Sequence, residues 1–320
     1  MIQYKQLIIT VAISFFITLI LGPIIIPILQ KLKAGQSIRD EGPESHYSKA
    51  GTPTIGGIIM IAAILITTLT SGRLNRDLYI ILFSTLGFGL IGFIDDFIKV
   101  VLKRNLGLKA YQKLIGQIII AIGIAIYQSR ISIFETQVLI PFLNSYIDLG
   151  VLYIPFIVFV VVATTNSVNL TDGLDGLAAG VTLIVSSFFS LVALNWGYPS
   201  IAVFSGALTG ACLGFLRFNA HPAKVFMGDT GSMALGGAIA SIAILMNLTL
   251  FIPIVGGIYF AEALSVILQV IFFKLTGKRI FKMSPLHHHF ELKGWKETKV
   301  VIVFWSVTLL LCIVGLYALK

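Results

Sequence analysis

The sequence predicts an all-α integral membrane protein with about ten transmembrane helices. Three observations support this class: 57% of the 320 residues are apolar, only 12% are charged, and the mean hydropathy is +0.96. Soluble domains carry about 25% charged residues, so a water-soluble globule is excluded, as are a disordered chain and a coiled coil. The two cysteines, Cys212 and Cys312, lie inside apolar runs, which excludes a secreted disulfide scaffold.

Ten apolar segments account for the spans, because a transmembrane helix needs about 20 mostly apolar residues. The fourth and fifth are short, but polar loops bound each of them. Since no loop is long enough for a soluble domain, residues 1–320 are predicted to form a single polytopic membrane domain. In order, the predicted spans are Leu7–Leu29, Ile55–Thr70, Leu78–Ile94, Leu114–Tyr127, Val151–Ala163, Leu174–Leu194, Ile201–Leu216, Met233–Met246, Phe251–Phe273 and Val300–Leu319.

The distribution of charge predicts the orientation of these spans. The loops that follow odd-numbered spans hold 18 of the 23 Lys and Arg residues, all five His and ten of the 14 acids. Cytoplasmic loops are rich in Lys and Arg, so we expect both termini outside the cell. Transporters place titratable groups near the membrane midplane. The one-sided layout therefore favours an enzyme working at the cytoplasmic membrane surface, with a coupled transporter as the alternative.

Two adjacent carboxylates, Asp95 and Asp96, stand at the cytoplasmic end of the third span. On a helix they point about 100° apart and can serve different partners. Lys99, four residues after Asp95, shares its face. Mg²⁺ together with phosphate oxygens suits such a set; a solvated helix end with a simple ion pair is the alternative.

A polar run, Asn166–Gly176, follows the fifth span and contains two Asn and two Asp but no Lys or Arg. We expect Thr171 or Asp172 to cap the next helix. Asp172 and Asp175, three residues apart, would then lie on one face of its first turn. A cap explains one polar residue and leaves the others for ligand binding.

A second polar run, Asn219–Ser232, places Asp229 between Gly228 and Gly231 just before a span. A glycine-flanked turn at a helix start presents backbone N–H groups to anions. Because Asp229 would repel a bare phosphate, its presence indicates a metal between the two. A tight turn with an Asp cap is the simpler interpretation.

Three consecutive histidines, His287, His288 and His289, lie in the last cytoplasmic loop. Consecutive residues do not readily converge on one ion, so zinc is disfavoured. Hydrogen bonding to phosphates or to a sugar is the favoured role.

Two further signals are weaker. Lys49 lies in the Gly- and Thr-rich stretch Ser48–Gly57, which suits either phosphate contact or a plain interfacial loop. Glu262 is the one acid inside a span. We expect it to hydrogen-bond a polar partner such as Gln269, seven residues on and on the same helix face. Hydrogen bonding between helices or across a dimer is the favoured role, and contact with the substrate is the alternative.

Together these motifs resemble the polyprenyl-phosphate N-acetylhexosamine-1-phosphate transferases over nearly the whole chain. The most specific parts are Asp95-Asp96, Asn169–Gly176, Phe226–Asp229 and above all His287–Glu291, which favours the branch that uses a muramoyl-pentapeptide donor. The resemblance implies transfer from UDP-N-acetylmuramoyl-pentapeptide to undecaprenyl phosphate, giving lipid I and UMP. It also implies Mg²⁺, a homodimer, ten spans and a bacterial cell membrane; nucleic acid is not an expected partner. A relative with another UDP-hexosamine donor is the alternative.

Within that reaction we expect Asp229, with help from Asp96, to hold Mg²⁺, and Asp95 to orient or deprotonate the lipid phosphate. Lys49, Lys99 and His288 would neutralise phosphate charge. An aspartyl-phosphosugar intermediate is an open alternative to direct attack. The expected catalytic residues are Asp95, Asp96, Asp229 and His288. The expected substrate-binding residues are Lys49, Thr54, Lys99, Asn169, Asp172, Asp175, Phe226, Gln269, His287 and His289.

Overall fold

The computed structural model describes residues 2–32, 49, 51–71, 74–104, 107–131 and 134–319, which form a bundle of helices. Ser48 and Ala50, which flank Lys49 in the sequence, lie outside the described residues. The helices are α1 (Ile2–Lys31), α2 (Gly57–Ser71), α3 (Arg76–Val100), α4 (Ala110–Ile131), α5 (Tyr153–Thr171), α6 (Leu177–Asn195), α7 (Pro199–Asn219), α8 (Gly228–Leu245), α9 (Ile252–Val255), α10 (Gly257–Thr276), α11 (Leu286–Glu291) and α12 (Glu297–Tyr317).

Nine of the described helices are long and apolar enough to cross a membrane, and α2, with 15 residues, is a shorter apolar helix. These ten helices match the ten predicted spans, which confirms the predicted fold class. Helices α6, α7 and α8 form the buried centre of the bundle, whereas α1, α10 and α12 expose most of their apolar side chains. Such outward apolar faces are suited to lipid contact.

Helix α5 extends eight residues beyond the end of the predicted fifth span, Ala163, to Thr171. Polar side chains of α4 and α5 satisfy one another there. Asn166 Nδ2 donates to Gln117 Oε1 over 2.8 Å and to the carbonyl oxygen of Val162 over 2.8 Å. The first part of the polar run predicted after the fifth span is therefore the last two turns of α5.

The ninth predicted span is divided at Gly256, whose backbone N–H closes the short helix α9 on the carbonyl oxygen of Ile252. Helix α10 then begins at Gly257 and carries the main apolar segment. The segment that contains His287, His288 and His289, called the histidine segment below, forms the short helix α11. This helix is a second element that the sequence does not predict.

A two-stranded antiparallel sheet between α4 and α5 also lies outside the prediction. Strand β1 (Gln137–Ile140) pairs with β2 (Ser145–Asp148), with Gln137 opposite Asp148. The backbone N–H of Phe142, in the hairpin turn, donates to the carbonyl oxygen of Ala318 over 3.0 Å. The hairpin thus contacts the end of the last helix.

The start of α1 and the end of α12 lie at the end of the bundle opposite Asp95 and Asp229, as ten spans require. The Tyr4 hydroxyl donates to Asn195 Oδ1 at the far end of α6 over 2.8 Å. The last residues of α12 lie against the hairpin at that same end. The helix ends that carry the acidic motifs meet at the other end.

Candidate active site

Asp95, one turn before the end of α3, is completely buried and faces two lysines. Its Oδ1 accepts the backbone N–H of Leu108 over 2.7 Å. Its Oδ2 lies against the ammonium of Lys99 and 2.9 Å from that of Lys113, at the start of α4. The predicted face-sharing of Asp95 and Lys99 is confirmed, and Lys113 is added to the pair.

Asp96 points away from Asp95 and anchors the start of helix α8. Its Oδ2 accepts the backbone N–H of Thr230 over 2.9 Å and the Thr230 hydroxyl over 2.6 Å, and its Oδ1 accepts the N–H of Asp229 over 3.2 Å. A carboxylate at a helix N-terminus satisfies unpaired N–H groups and interacts favourably with the helix dipole. The expectation that Asp95 and Asp96 serve different partners is confirmed.

Helices α3 and α8 approach so closely at this point that Gly92 is required. A Cβ at Gly92 would overlap the backbone carbonyl group of Asp229. Thr54 is buried beside the same junction, where its Oγ1 and Asp96 Oδ2 both lie against Gly228. This packing sets the position of Asp229 relative to the α3 carboxylates.

Asp229 is held by groups from three other helices. Its Oδ1 accepts from Asn169 Nδ2 over 2.9 Å, and the same amide nitrogen donates to Ser232 Oγ over 2.8 Å. Its Oδ2 lies 2.6 Å from Lys113 Nζ and 3.1 Å from Lys99 Nζ. Two ammonium groups therefore lie between the carboxylates of α3 and α8.

The three carboxylates provide ligand oxygens of the kind that Mg²⁺ prefers. One oxygen from each of Asp95, Asp96 and Asp229 lies within 4.8 Å of the others. The ammonium groups of Lys99 and Lys113 pair with Asp95 and Asp229, which shows that this cluster of three carboxylates attracts cations. Asp96 Oδ1 accepts a single hydrogen bond and keeps a lone pair for a further partner. The donor set fits a divalent cation.

The segment Asp172–Gly176 is a turn, and the prediction that it opens helix α6 is wrong. Helix α6 begins at Leu177, after Gly176 with a φ of 78°, and no side chain caps it. Gly176 adopts the left-handed conformation, which is not helical, so the chain turns at this residue before α6 starts. Neither Thr171 nor Asp172 is the cap, and the two aspartates precede the first turn.

Asp175 belongs to a second cluster of charges beside this turn. The Lys49 ammonium lies 2.7 Å from Asp175 Oδ1 and 2.6 Å from Glu297 Oε1, and the Asp175 backbone N–H donates to the same Glu297 oxygen over 2.7 Å. His221 Nδ1 lies 3.1 Å from Asp175 Oδ2. Although burial opposes it, hydrogen bonds and charges from Asp175 and Glu297 raise the pKa of Lys49. The Lys49 ammonium is thus the positive charge that the carboxylates of Asp175 and Glu297 share in this second cluster.

Asp172 lies at the end of α5, in the same turn as Asp175. Burial, together with the negative charges of Asp229, Asp96 and Asp175, raises the pKa of Asp172 to about 8. Carboxylates of both clusters therefore act electrostatically on this residue.

His287 packs directly on this turn. A Cβ at Gly173 would overlap the His287 ring at Nε2, so glycine is needed there. His287 is buried, and its Nδ1 lies 3.1 Å from Oε1 of Glu262. Through His287, the histidine segment therefore contacts the turn that carries Asp172 and Asp175.

His288 and His289 have other neighbours. His288 Nδ1 lies 2.9 Å from Glu291 Oε2, and its ring packs on that of His287. His289 Nδ1 accepts the backbone N–H of Lys282 over 3.1 Å. Burial and the nearby charges of Lys293 and Lys282 lower the pKa of His289.

Gln269 does not pair with Glu262, and that prediction is wrong. The Gln269 amide instead binds the backbone of the segment after α10, accepting from Ile280 and Phe281 N–H and donating to the Phe281 carbonyl, each over 3.0 Å. Glu262 binds residues 286 and 287. Because that segment folds back beside α10, both polar side chains find backbone partners within it.

Phe226 links two loops through its backbone. Its N–H donates to Pro53 O over 2.8 Å, and its carbonyl accepts from Gly56 N–H over 2.9 Å. The loop before α2 and the loop before α8 are thereby joined next to Thr54.

Sequence reasoning missed several residues of the site. In the sequence Lys113 is one of many loop charges, although its ammonium lies closer to Asp229 Oδ2 than that of Lys99 does. Glu297 is an acid in a lysine-rich loop at the start of the last span. This negative charge among lysines is the sequence signal that could have identified it as a site residue. The missed residues are Lys113, His221, Thr230, Ser232 and Glu297.

Comparisons with known proteins agree with this geometry. Residues 78–247, which include Asp95, Asp96, Asn169, Asp172 and Asp229, match glycosyl transferase family 4. Three relatives are called phospho-N-acetylmuramoyl-pentapeptide-transferase. That of Alkaliphilus metalliredigens is 69% identical over the full length of both chains. Those of Alkaliphilus oremlandii and Clostridioides difficile are 67% and 56% identical, over 99% of both chains in each case. With these matches over its whole length, the chain belongs to the phospho-N-acetylmuramoyl-pentapeptide transferase family.

Proposed function

We propose that the protein transfers phospho-N-acetylmuramoyl-pentapeptide from its UDP-linked donor to undecaprenyl phosphate, releasing UMP and forming lipid I. One observation carries the proposal beyond the family name. Asp95, Asp96 and Asp229 converge with Lys99 and Lys113 at one end of a transmembrane bundle. This mixture of carboxylates and ammonium groups suits phosphoryl transfer, which depends mainly on positioning and charge neutralisation.

The location of the cluster fits two substrates of opposite solubility. A prenyl phosphate is confined to the bilayer, whereas a nucleotide-linked sugar is soluble and anionic. The cluster lies where α3 and α5 end and α8 begins, so a phosphate at the membrane surface and a donor from solution can meet there. The excess of Lys and Arg in the loops on this side favours a cytoplasmic orientation and attracts the anionic donor.

Mg²⁺ is the cation we propose, held by Asp229 with help from Asp96. When bound, it would neutralise charge on the donor pyrophosphate and on the leaving UMP. Asn169 holds one oxygen of Asp229, and Asp96 holds the backbone beneath it, so the carboxylate is positioned before a ligand arrives. Preorganised charges of this kind stabilise a transition state without the cost of reorientation.

Lys99 and Lys113 neutralise phosphate charge in the proposed mechanism. Each is partly exposed and pairs with Asp95 and Asp229 in the described structure. Asp95 orients the lipid phosphate or accepts its proton before an oxygen of that phosphate attacks the donor phosphate that carries the sugar. A phosphate has a second pKa near 6, so a weak base is sufficient.

The 172–176 turn and its neighbours form the donor-binding side of the proposed site. Asp172 and Asp175 would contact the uridine or the sugar, with Lys49 and His288 near the phosphates. Asn169, which binds Asp229, and Asp175, which pairs with Lys49, lie on either side of Asp172 in the chain, and this closeness supports a donor lying across both clusters.

Assembly as a homodimer is a separate proposal, supported by the family resemblance. Light scattering of the detergent-solubilised protein tests it. A mass twice that of the 34.8 kDa chain, after subtraction of detergent, is expected; a single-chain mass would contradict it.

The test of the proposed activity is UMP release from UDP-N-acetylmuramoyl-pentapeptide by purified protein, with and without a prenyl phosphate. Release should require the prenyl phosphate and a divalent cation. UDP-N-acetylglucosamine is the matched control donor and should give little UMP. Equal release from both donors would favour a related transferase, and no release from either would contradict the proposal.

A further inference from the structure

Glu262 is a buried carboxylate in the membrane-spanning helix α10, and the proposed mechanism does not use it. Its side chain is completely inaccessible to solvent. A charged group inside a membrane-spanning segment is costly unless it is paired or hydrogen-bonded. Such a residue requires specific partners.

Among the described residues, the carboxylate finds its hydrogen-bond partners in the histidine segment. Glu262 Oε2 accepts the backbone N–H of Leu286 over 2.7 Å, and Oε1 accepts that of His287 over 3.3 Å. The same Oε1 lies 3.1 Å from His287 Nδ1. One carboxylate therefore holds both the start of α11 and the imidazole ring that follows it.

The opposite edge of the imidazole faces the 172–176 turn. His287 Nε2 is buried against Gly173 and has no hydrogen-bond partner among the described residues. A buried N–H without an acceptor is costly, whereas an unpaired acceptor is tolerated more often. Of the two ring nitrogens, Nδ1 faces an acceptor, the Glu262 carboxylate. A proton on Nδ1 can therefore be hydrogen-bonded, whereas a proton on Nε2 would have no acceptor among the described residues.

We infer that Glu262 is a positioning residue that holds His287 against the 172–176 turn and keeps the imidazole proton on Nδ1, which leaves Nε2 as a hydrogen-bond acceptor on the donor-binding side of the site. This use of a carboxylate to fix the tautomer and orientation of a histidine is established chemistry in other proteins. The acceptor role of Nε2 suits a hydroxyl or amide N–H of the donor and excludes a direct bond to a phosphate oxygen. Its effect on turnover rests on the proposed function.

The tautomer is tested without any assay of activity. Protein labelled with ¹⁵N-histidine contains five histidines, and loss of a signal in His287→Asn identifies His287. We expect a neutral ring with its proton on Nδ1. In Glu262→Gln the amide oxygen can keep a backbone N–H while the amide nitrogen donates to Nδ1, so the proton should move to Nε2. A proton on wild-type Nε2, in a neutral or a cationic ring, would overturn the inference.

Turnover provides the second test. Glu262→Gln should lower kcat by about 10- to 100-fold, the usual effect of removing a group that orients a functional histidine, with a smaller change in KM. The loss should disappear in a His287→Asn background, because both substitutions remove the same interaction. Losses that multiply in the double variant would overturn the inference.

Ser265→Ala is the matched control. Ser265 is buried one turn after Glu262, and its hydroxyl donates to the Glu262 backbone carbonyl over 2.7 Å rather than to the carboxylate that binds His287. It should keep the wild-type kcat and the wild-type His287 tautomer. If the wild-type protein releases no UMP, the proposed function fails, while the NMR measurement still decides the role of Glu262.

Discussion

The ammonium nitrogen of Lys113 lies 2.6 Å from Oδ2 of Asp229, the shorter of two lysine contacts to that oxygen. Lys113 also lies 2.9 Å from Oδ2 of Asp95, so a residue of α4 joins the carboxylates of α3 and α8. The charge on this lysine is consequently available where phosphate groups are proposed to bind.

Replacing Lys113 tests that role. Lys113→Met keeps an unbranched side chain without the charge, and UMP release should fall by about 10²-fold, as for other losses of transition-state charge stabilisation. Lys109→Met is the control, since Lys109 lies near the same end of α4 but contacts the exposed ring of Tyr111. Equal activity of the two variants would contradict the role of Lys113.

Asp229→Asn tests the proposed metal ligand. Turnover should fall by about 10²-fold or more, because the amide keeps the shape of the side chain but removes its charge. The melting temperature in detergent should change little by comparison. Asp148→Asn, in the β1–β2 hairpin at the opposite end of the bundle, is the matched control and should be fully active. Near-normal activity of Asp229→Asn would show that the metal is held elsewhere.

The close approach of α3 and α8 predicts opposite effects of two Gly→Ala changes. A Cβ at Gly92 would overlap the Asp229 backbone, so Gly92→Ala should cost about 1–3 kcal/mol of stability and reduce activity. At Gly123, the nearest atom to an added Cβ is 3.8 Å away. Gly123→Ala should therefore stabilise helix α4 by about 0.5–1 kcal/mol. Thermal unfolding in detergent measures both, and equal shifts would contradict the packing argument.

The raised pKa of Asp172 predicts how stability depends on pH. Its folded-state pKa of about 8 lies above the ordinary aspartate value, so folding favours the neutral carboxyl. The associated stability is fully present below about pH 4 and is lost as the pH rises through about 8. Asp172→Asn, which stays neutral, should therefore gain melting temperature relative to wild type as the pH rises from about 5 to 9.

Asp148→Asn is the control for that series. Hydrogen bonds from Thr136 and Gly150 lower the pKa of Asp148, so its carboxyl stays ionised across the same pH range. Its melting difference from wild type should be flat. A flat difference for Asp172→Asn would show that Asp172 does not titrate in this range.

The sequence was sufficient to predict those features that depend on neighbouring residues. Hydropathy predicts all ten spans. Asp95, Asp96 and Asp229 are predictable as site residues because each lies in a short polar motif at the end of an apolar span. The extension of α5 was not predictable from hydropathy, because Gln117 on α4 makes Asn166 acceptable inside the bundle.

Contacts between distant segments account for the other errors. Glu262 was paired with Gln269 by helix spacing, yet its partners lie 24 and 25 residues away on a segment that folds back. The turn at 172–176 was assigned to a helix because the left-handed conformation of Gly176 has no unique sequence signal. Lys113 and Glu297 reach their partners across the bundle, which local patterns do not encode.

The Glu262 contact also has a consequence for biosynthesis. The ribosome makes α10 before it makes Leu286 and His287, so this carboxylate enters the bilayer ahead of its own hydrogen-bond donors. Until the following loop has emerged and turned back, this carboxylate lacks the two backbone N–H groups that pair with it in the folded protein. Maturation of this part of the protein therefore finishes only after the histidine segment has left the ribosome.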